Sequence, residues 1–472
     1  MTTAPLWQDT ATGLARRIAA GEVSSLEVVE AHLARIESVN PAVNAIVRVL
    51  SEEARRSAAV ADQAVAQGAA LGPLHGVPFT IKENIDVAGL PTTWAVRALA
   101  KAVVPIDAPV VERMRAAGAI PIARTNLPDM GLRMVTESSL YGITRNPWNM
   151  ERTAAGSSGG EAVAIATGMS PLGLGNDLGG SLRNPASACG IVSIRPSAGR
   201  VPHAGLVPAE DQLFTAQLML AQGPMARTVA DVRLALEVLM GAHPRDPWSI
   251  SAPFRGDPPK RPIRVAVVAE PPGGSCDALI AAAVRKAADA LSNAGYDVVQ
   301  ACPPKYEEAV SAWAGLVAAD FGTVLDKLLP LMGADGRAFS EAFLGGAGVP
   351  ASLAAMSKLL MERDSIARSW SQFMHKHPLL LTPTWTQLPF AHGFDVLSPQ
   401  ATAATREMVR PVLPANLLGL PCACVPASRD PATGLPIGVL LTGRRFREDQ
   451  CLDAAEPIEA QCGFETPITP AA

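Results

Sequence analysis

The chain has little from which to build a covalent or metal framework. Its seven cysteines, Cys189, Cys276, Cys302, Cys422, Cys424, Cys451 and Cys462, are odd in number and scattered over 472 residues. That pattern argues for reduced thiols and against a disulfide scaffold. Only Cys422 and Cys424 stand close together, in LPCACVP. With no second Cys/His cluster beside them, they are expected to be small strand residues rather than metal ligands. Charge is also sparse, at 18% of residues with a net value of −4 and no Lys/Arg block. Neither nucleic acid nor an anionic membrane is therefore an expected partner. No apolar run reaches the ~18 residues of a membrane span, and MTTAPLWQDTATGLARRIAAGE lacks the basic start and apolar core of a signal peptide. The expectation is a cytoplasmic globular protein, a monomer or homodimer acting on a small molecule, with enough apolar residues (48%) for a large core.

Helical and strand patterns alternate along most of the chain. Ser24 and Glu27 form a capping-box pattern ahead of Val29, Leu33 and Ile36, with Asn40-Pro41 expected to end that helix. SEEARRSAAVADQAVAQG reads as a second helix capped by Ser51. LHGVPFTIKENIDVAG then alternates Val77, Phe79 and Ile81 toward Lys82, as a strand does. APVVERMRAAGAIPIARTN and SGGEAVAIATGMSPLGLGND each give a helix followed by a strand, and PIRVAVVAE, ALIAAAVRKAADALSNAG and YDVVQACP continue the rhythm. Strand-like runs return in PLLLTPTW, PCACVPA and IGVLLTG. The expected fold is one α/β domain over residues 1–472, a mixed twisted sheet covered by helices on both faces. Within it, 1–70 would hold the N-terminal helices, 71–240 the catalytic core, and 305–377 a helical insertion shaping a pocket.

The chemistry concentrates in two Gly/Ser clusters between Glu151 and Gly190. Gly156, Ser158 and Gly160 fit G-x-S-x-G, but that pattern also arises in turns and needs an acid and a histidine downstream. His203, His243, His375, His377 and His392 follow, none in a distinctive setting. The second cluster, GNDLGGS, brings the N–H groups of Leu178, Gly179 and Gly180 together before Ser181. Such a run can form an anion nest, which suits an oxyanion hole or a phosphate. It has neither the Gly-Lys-Ser/Thr ending of a P-loop nor the G-x-G-x-x-G spacing.

AAGSSGGEAVAIATGMSPLGLGNDLGGSLRNPASACGIVSIRPSAGRVP resembles the signature of the amidase signature family, and GPLHGVPFTIKENIDVAGLPTT resembles its lysine segment. RTNLPDMG, GITRNPWN and GPMARTVADV follow in family order, and the likeness fades toward NLLGLPCACVPA and GLPIGVLLTGRRFRED. The resemblance implies a Ser181 nucleophile, Ser157 as the bridging serine after a cis peptide bond, and Lys82 as the base. It further implies an oxyanion hole from the N–H groups of Leu178, Gly179, Gly180 and Ser181, a loop braced by Asp177 and Arg183, and no cofactor or metal.

A serine hydroxyl is a weak nucleophile until a base takes its proton, so Lys82 must rest neutral, which burial favours. Glu83, on the opposite strand face, would not pair with it.

The sequence departs from the family pattern at AAGSSGG and at Asn176, neither expected to touch a catalytic side chain. The run AEDQLFTAQLMLAQGPM is expected to form an apolar loop near the nucleophile. Met130, Leu132, Met134 and Leu206 would line a pocket for bulky or aryl amides, with core packing as the alternative for the Met/Leu stretch. The family also holds carbamate- and ester-cleaving enzymes and the glutamine-hydrolysing subunit of tRNA-dependent amidotransferases. TTWAV, and the missing Ser-Ser-Leu-Asp-Gln run after GLVP, argue against that last reading. A non-catalytic scaffold on the same fold is the alternative from another class, disfavoured because Lys82, Ser157 and Ser181 are all present.

Overall fold

Short apolar runs bounded by turn residues give thirteen strands among the residues described, which are 4–207, 212–345, 353–463 and 465–470 of a computed structural model. In chain order they are β1 (Ile46–Val49), β2 (Pro78–Lys82), β3 (Ile120–Thr125), β4 (Glu137–Ser138), β5 (Gly142–Ile143), β6 (Leu172–Asp177) and β7 (Val192–Arg195). There follow β8 (Ala221–Ala226), β9 (Arg264–Val267), β10 (Asp297–Gln300), β11 (Leu379–Pro383), β12 (Cys422–Arg429) and β13 (Pro436–Gly443). Eleven make one sheet in the order β1-β3-β2-β6-β8-β7-β12-β13-β11-β9-β10, while β4 and β5 pair separately. The large sheet is mixed: β2 runs parallel to β3 and β6, and β9 to β10 and β11, with antiparallel pairs elsewhere.

Helices cover both faces, and the two-residue strand period decides what each face buries. On one face Phe79, Ile81, Val265, Leu381 and Val439 pack with the helices Ala11–Ala19, Val229–Leu239, Ala278–Asn293 and Glu448–Cys462. On the other, Ala266, Leu380, Cys422, Cys424 and Leu440 pack with Gly159–Ala166, Arg183–Cys189 and Tyr306–Phe321. Burial of each large apolar side chain contributes roughly 1.5–3 kcal/mol. Thr80 and Lys82 alternate with Phe79 and Ile81, so their side chains enter the second face, where the Gly/Ser clusters lie.

The helical and strand expectations hold with corrections at their ends. The capping box forms, with Ser24 N–H donating to Glu27 at 2.8 Å and Glu27 N–H to Ser24 Oγ at 3.1 Å. Asn40-Pro41 does not end that helix: it runs Ser25–Val43 and stops at Asn44, whose φ of 50° breaks the helical path. Pro41 falls in the last turn, so the helix loses one N–H bond there and continues only two residues further, to Val43. Ser51 is the first residue of Ser51–Ala66 rather than its cap, which is Leu50. Strands β1, β7 and β8 are not evident in the sequence because none alternates cleanly, and β8 (AQGPMA) even contains Gly and Pro. Part of the expected loop before it, residues 209–211, lies outside the described residues. The described part is instead the helix Phe214–Met219 followed by β8. No single helix among the described residues is long and apolar enough to cross a membrane.

Candidate active site

The lysine sits where three strands meet. Lys82 ends β2 between β3 and β6, fully buried, with Thr125 as its cross-strand partner on β3. Its Nζ lies 2.7 Å from Ser157 Oγ and donates to Asn176 Oδ1, also at 2.7 Å. Asn176 in turn donates through Nδ2 to Asn84 Oδ1 at 3.0 Å, which fixes its oxygen toward the lysine. Asn176 therefore does touch the candidate base, correcting the expectation that this departure would be remote. The one signal in the sequence is its setting, a polar residue beside Asp177 at the end of an otherwise small and apolar strand. Replacing Asn176 by Val, which keeps the strand but removes the acceptor, is expected to lower kcat/KM about tenfold. Steady-state kinetics at fixed pH checks this.

Among the described residues no carboxylate lies within ion-pair distance of Lys82. Burial lowers its pKa from the ordinary lysine range to about 7, although Asp177 and Glu161 at longer range favour the charged form. An unprotonated amine can donate to Asn176 and still accept the Ser157 proton on its lone pair. Glu83 is turned away, its carboxylate accepting from Thr93 N–H at 2.9 Å and Thr93 Oγ1 at 2.6 Å.

The two Gly/Ser clusters come together at this point. The Gly156–Ser157 peptide is cis, and Ser157 is 3% exposed. Ser158 N–H donates to the carbonyl of Ser181 at 3.3 Å, tying the two loops backbone to backbone. Ser158 itself is fully buried and its Oγ donates to the Asn176 carbonyl at 3.4 Å, so the G-x-S-x-G serine is not presented to a substrate. Among the described residues no histidine reaches either serine: His203 meets Gln212, His243 meets Glu112, and His392 meets the Met150 carbonyl.

Asp177 organises the loop that follows β6. Its carboxylate accepts from Gly180 N–H at 2.8 Å, Leu182 N–H at 3.1 Å, and Arg183 in a bidentate pair at 3.0 Å. Asn416, unforeseen from the sequence, adds a fourth donor at 2.8 Å. Burial alone would raise the pKa of Asp177, but Arg183 and these donors hold it well below the carboxylate range. The N–H groups of Leu178, Gly179 and Ser181 have no acceptor among the described residues. That of Gly180, counted in the sequence-based set of four, is committed to Asp177 instead. Gly180 has φ of +98°, a conformation a side chain would strain, and a Cβ there would sit 2.5 Å from Asn184.

Beside Ser181 opens a narrow cavity of about 60 Å³. Leu132, Met134 and Leu178 line one side, and Trp313, Phe339 and Phe343 the other. Met130 and Leu206, both expected here, are elsewhere. A tight turn with φ of 53° carries Met130 away to pack with Val96 and Met332. Leu206 is 37% exposed, held by its N–H on Asp86 at 2.6 Å. The aromatic wall comes from the helices Tyr306–Phe321 and Ala334–Gly345. Trp313 Nε1 donates to the Leu178 carbonyl at 3.1 Å, and Phe339 stacks on Phe343 with centroids 5.1 Å apart. Asp129 seats the second helix by accepting from Gly333 N–H at 2.6 Å, and Arg133 grips Asp395 at 2.7 and 3.0 Å.

Known proteins share sequence and fold with this chain. The amidase family model matches residues 27–452. An indoleacetamide hydrolase of Bradyrhizobium diazoefficiens is 40% identical over 465 residues, 97% of this chain and 87% of that protein. The A subunit of the glutamyl-tRNA(Gln) amidotransferase from a Synechococcus strain is 34% identical over 473 residues, 94% and 95% of the two chains. The solved structure of 6-aminohexanoate cyclic dimer hydrolase complexed with substrate superposes with a TM-score of 0.86 at 29% identity, covering 99% of this chain and all of that one. The chain thus belongs to the amidase signature family and is a hydrolase of amide C–N bonds.

Proposed function

We propose that this enzyme hydrolyses amides whose acyl group carries a flat aromatic ring, through an acyl-enzyme on Ser181. The aromatic cavity beside that serine, walled by Trp313, Phe339 and Phe343, is the observation that carries the reading. It is supported by the indoleacetamide hydrolase among the relatives. Lys82, unprotonated, takes the Ser157 proton while Ser157 takes that of Ser181, whose oxygen then adds to the amide carbonyl. The oxyanion settles among the free N–H groups of Leu178, Gly179 and Ser181. Ser157, reprotonated by Lys82, delivers the proton to the leaving nitrogen, the C–N bond breaks, and water releases the acid by the same steps. Carbamates and esters bearing the same ring present the same carbonyl, so they belong to the expected range.

Release of ammonia from indole-3-acetamide, acetamide and L-glutamine tests the reading. Burial of an aryl group favours the first over acetamide by roughly 30-fold or more in kcat/KM. Phe343→Ala should reduce that preference about tenfold while leaving acetamide turnover within a few-fold. Preference for L-glutamine would instead support the amidotransferase reading, which the relatives at 34% identity keep in view. The cavity speaks against it: the one cation lining it among the described residues, Arg133, is already paired with Asp395 and Glu137.

A further inference from the structure

A second buried ionisable group lies beside the lysine, and no step above uses it. Glu161 projects from the helix Gly159–Ala166 and is fully buried. Its Oε2 is 2.6 Å from Thr80 Oγ1 and its Oε1 is 2.8 Å from Thr125 Oγ1. Thr80 stands two residues before Lys82 on the same face of β2, and Thr125 is the register partner of Lys82 on β3. The carboxyl is thus fastened to the two residues that flank the base. Space for it is made at Gly173 on β6, where a Cβ would sit 2.0 Å from Oε2.

We propose that Glu161 is a positioning residue that decides whether Lys82 carries a proton. The proposal rests on Lys82 being the base of the Ser157–Ser181 relay. A buried lysine and a buried carboxyl can share one proton in two ways, as amine with carboxylic acid or as ammonium with carboxylate. Only the first supplies the base that the relay requires. Taking both charges out of water favours the first, while the two threonine hydroxyls and the attraction between the charges favour the second, so that both forms are populated and the ammonium–carboxylate share is inactive. The hydrogen bonds accommodate the acid, because Thr80 Oγ1 also reaches the Leu172 carbonyl at 3.4 Å and so can accept from a protonated Oε2. Burial accordingly raises the Glu161 pKa to about 8, against the pull of the two threonines, Lys82 and Arg124.

Other charges also face this pair. Arg124 on β3 donates to the carbonyls of Glu83 and Ile85 at 2.7 and 2.8 Å. Asp177 on β6 is neutralised by Arg183 on the following helix. Arg48 on β1 is exposed, and β8 presents no titratable side chain. Asp177 still acts on Lys82 and Arg124 on Glu161, but Glu161 is the one of these carboxyls that is hydrogen-bonded to both residues flanking the base.

The test is the pH dependence of kcat/KM for indole-3-acetamide in wild type and Glu161→Gln, with Ser181→Ala as control and a thermal melt to establish folding. Glutamine keeps the shape and cannot ionise. Because glutamine removes the ammonium–carboxylate form, the acidic limb is expected to move down by roughly half a pH unit, so that activity just below the wild-type midpoint rises about twofold relative to each enzyme's plateau. A packing role alone would lower the plateau and leave the limb in place. Should Glu161→Gln not fold, Glu161→Ser, which leaves room for a water between the two threonines, is read the same way. A folded variant with an unmoved limb overturns the proposal, whereas turnover by Ser181→Ala overturns the relay beneath it.

Discussion

Ser181→Ala should lower kcat by roughly 10⁵-fold or more, with an unchanged melting temperature, because no other hydroxyl is placed to take over. Ser157 faces Lys82 at 2.7 Å and Ser158 is sealed inside. What little rate survives would come from binding and the loop N–H groups, which act on water as well as on a serine. Ser158→Ala provides the contrast. It should leave kcat within a few-fold, since its hydroxyl only spans 3.4 Å to the Asn176 carbonyl. A reversed pattern would return the G-x-S-x-G serine to the catalytic role and require a histidine that the fold does not bring near it.

Lys82→Met should cost about 10⁴-fold in kcat, since the methionine stem fills the same space without a lone pair that accepts a proton. The pH dependence gives this its sign. Lys82 is the base only when unprotonated, and burial brings its pKa to about 7. Activity should therefore climb as pH rises through 7 and level off on the alkaline side, as a neutral lysine base requires. In Lys82→Met the climb should vanish with the rate. An acidic limb persisting unchanged in the variant would mean that another group sets it.

What is legible in the sequence, and what is not, follows from where each signal resides. Lys82, Ser157 and Ser181 are read easily because short motifs fix them within a few residues, as β-strand end, loop and loop. The face on which Lys82 lies also follows from the alternation of Val77, Phe79 and Ile81. The aromatic cavity does not, because its far wall comes from 313–344, folded over the loop from more than a hundred residues away. Trp313, Val317 and Phe321 recur every fourth residue, as do Phe339 and Phe343, but a stripe of this kind marks any buried helix face. Only tertiary structure shows which part of it is left uncovered beside Ser181. Asn176 and Glu161 escape a reading of the sequence for another reason. Each is a polar residue in an otherwise small or apolar run, and its partners, Lys82, Thr80 and Thr125, lie on neighbouring strands whose register the sequence does not display.

Labelling with a fluorophosphonate, which reacts only with a serine whose proton is drawn off by a base, tests the central assignment most directly. The modified enzyme is digested and the adduct mapped by mass spectrometry. A single adduct on Ser181, lost in Lys82→Met and retained in Ser158→Ala, is the expected result. An adduct on Ser157 or Ser158, or full labelling without Lys82, would contradict a Ser181 nucleophile activated through Ser157 by Lys82.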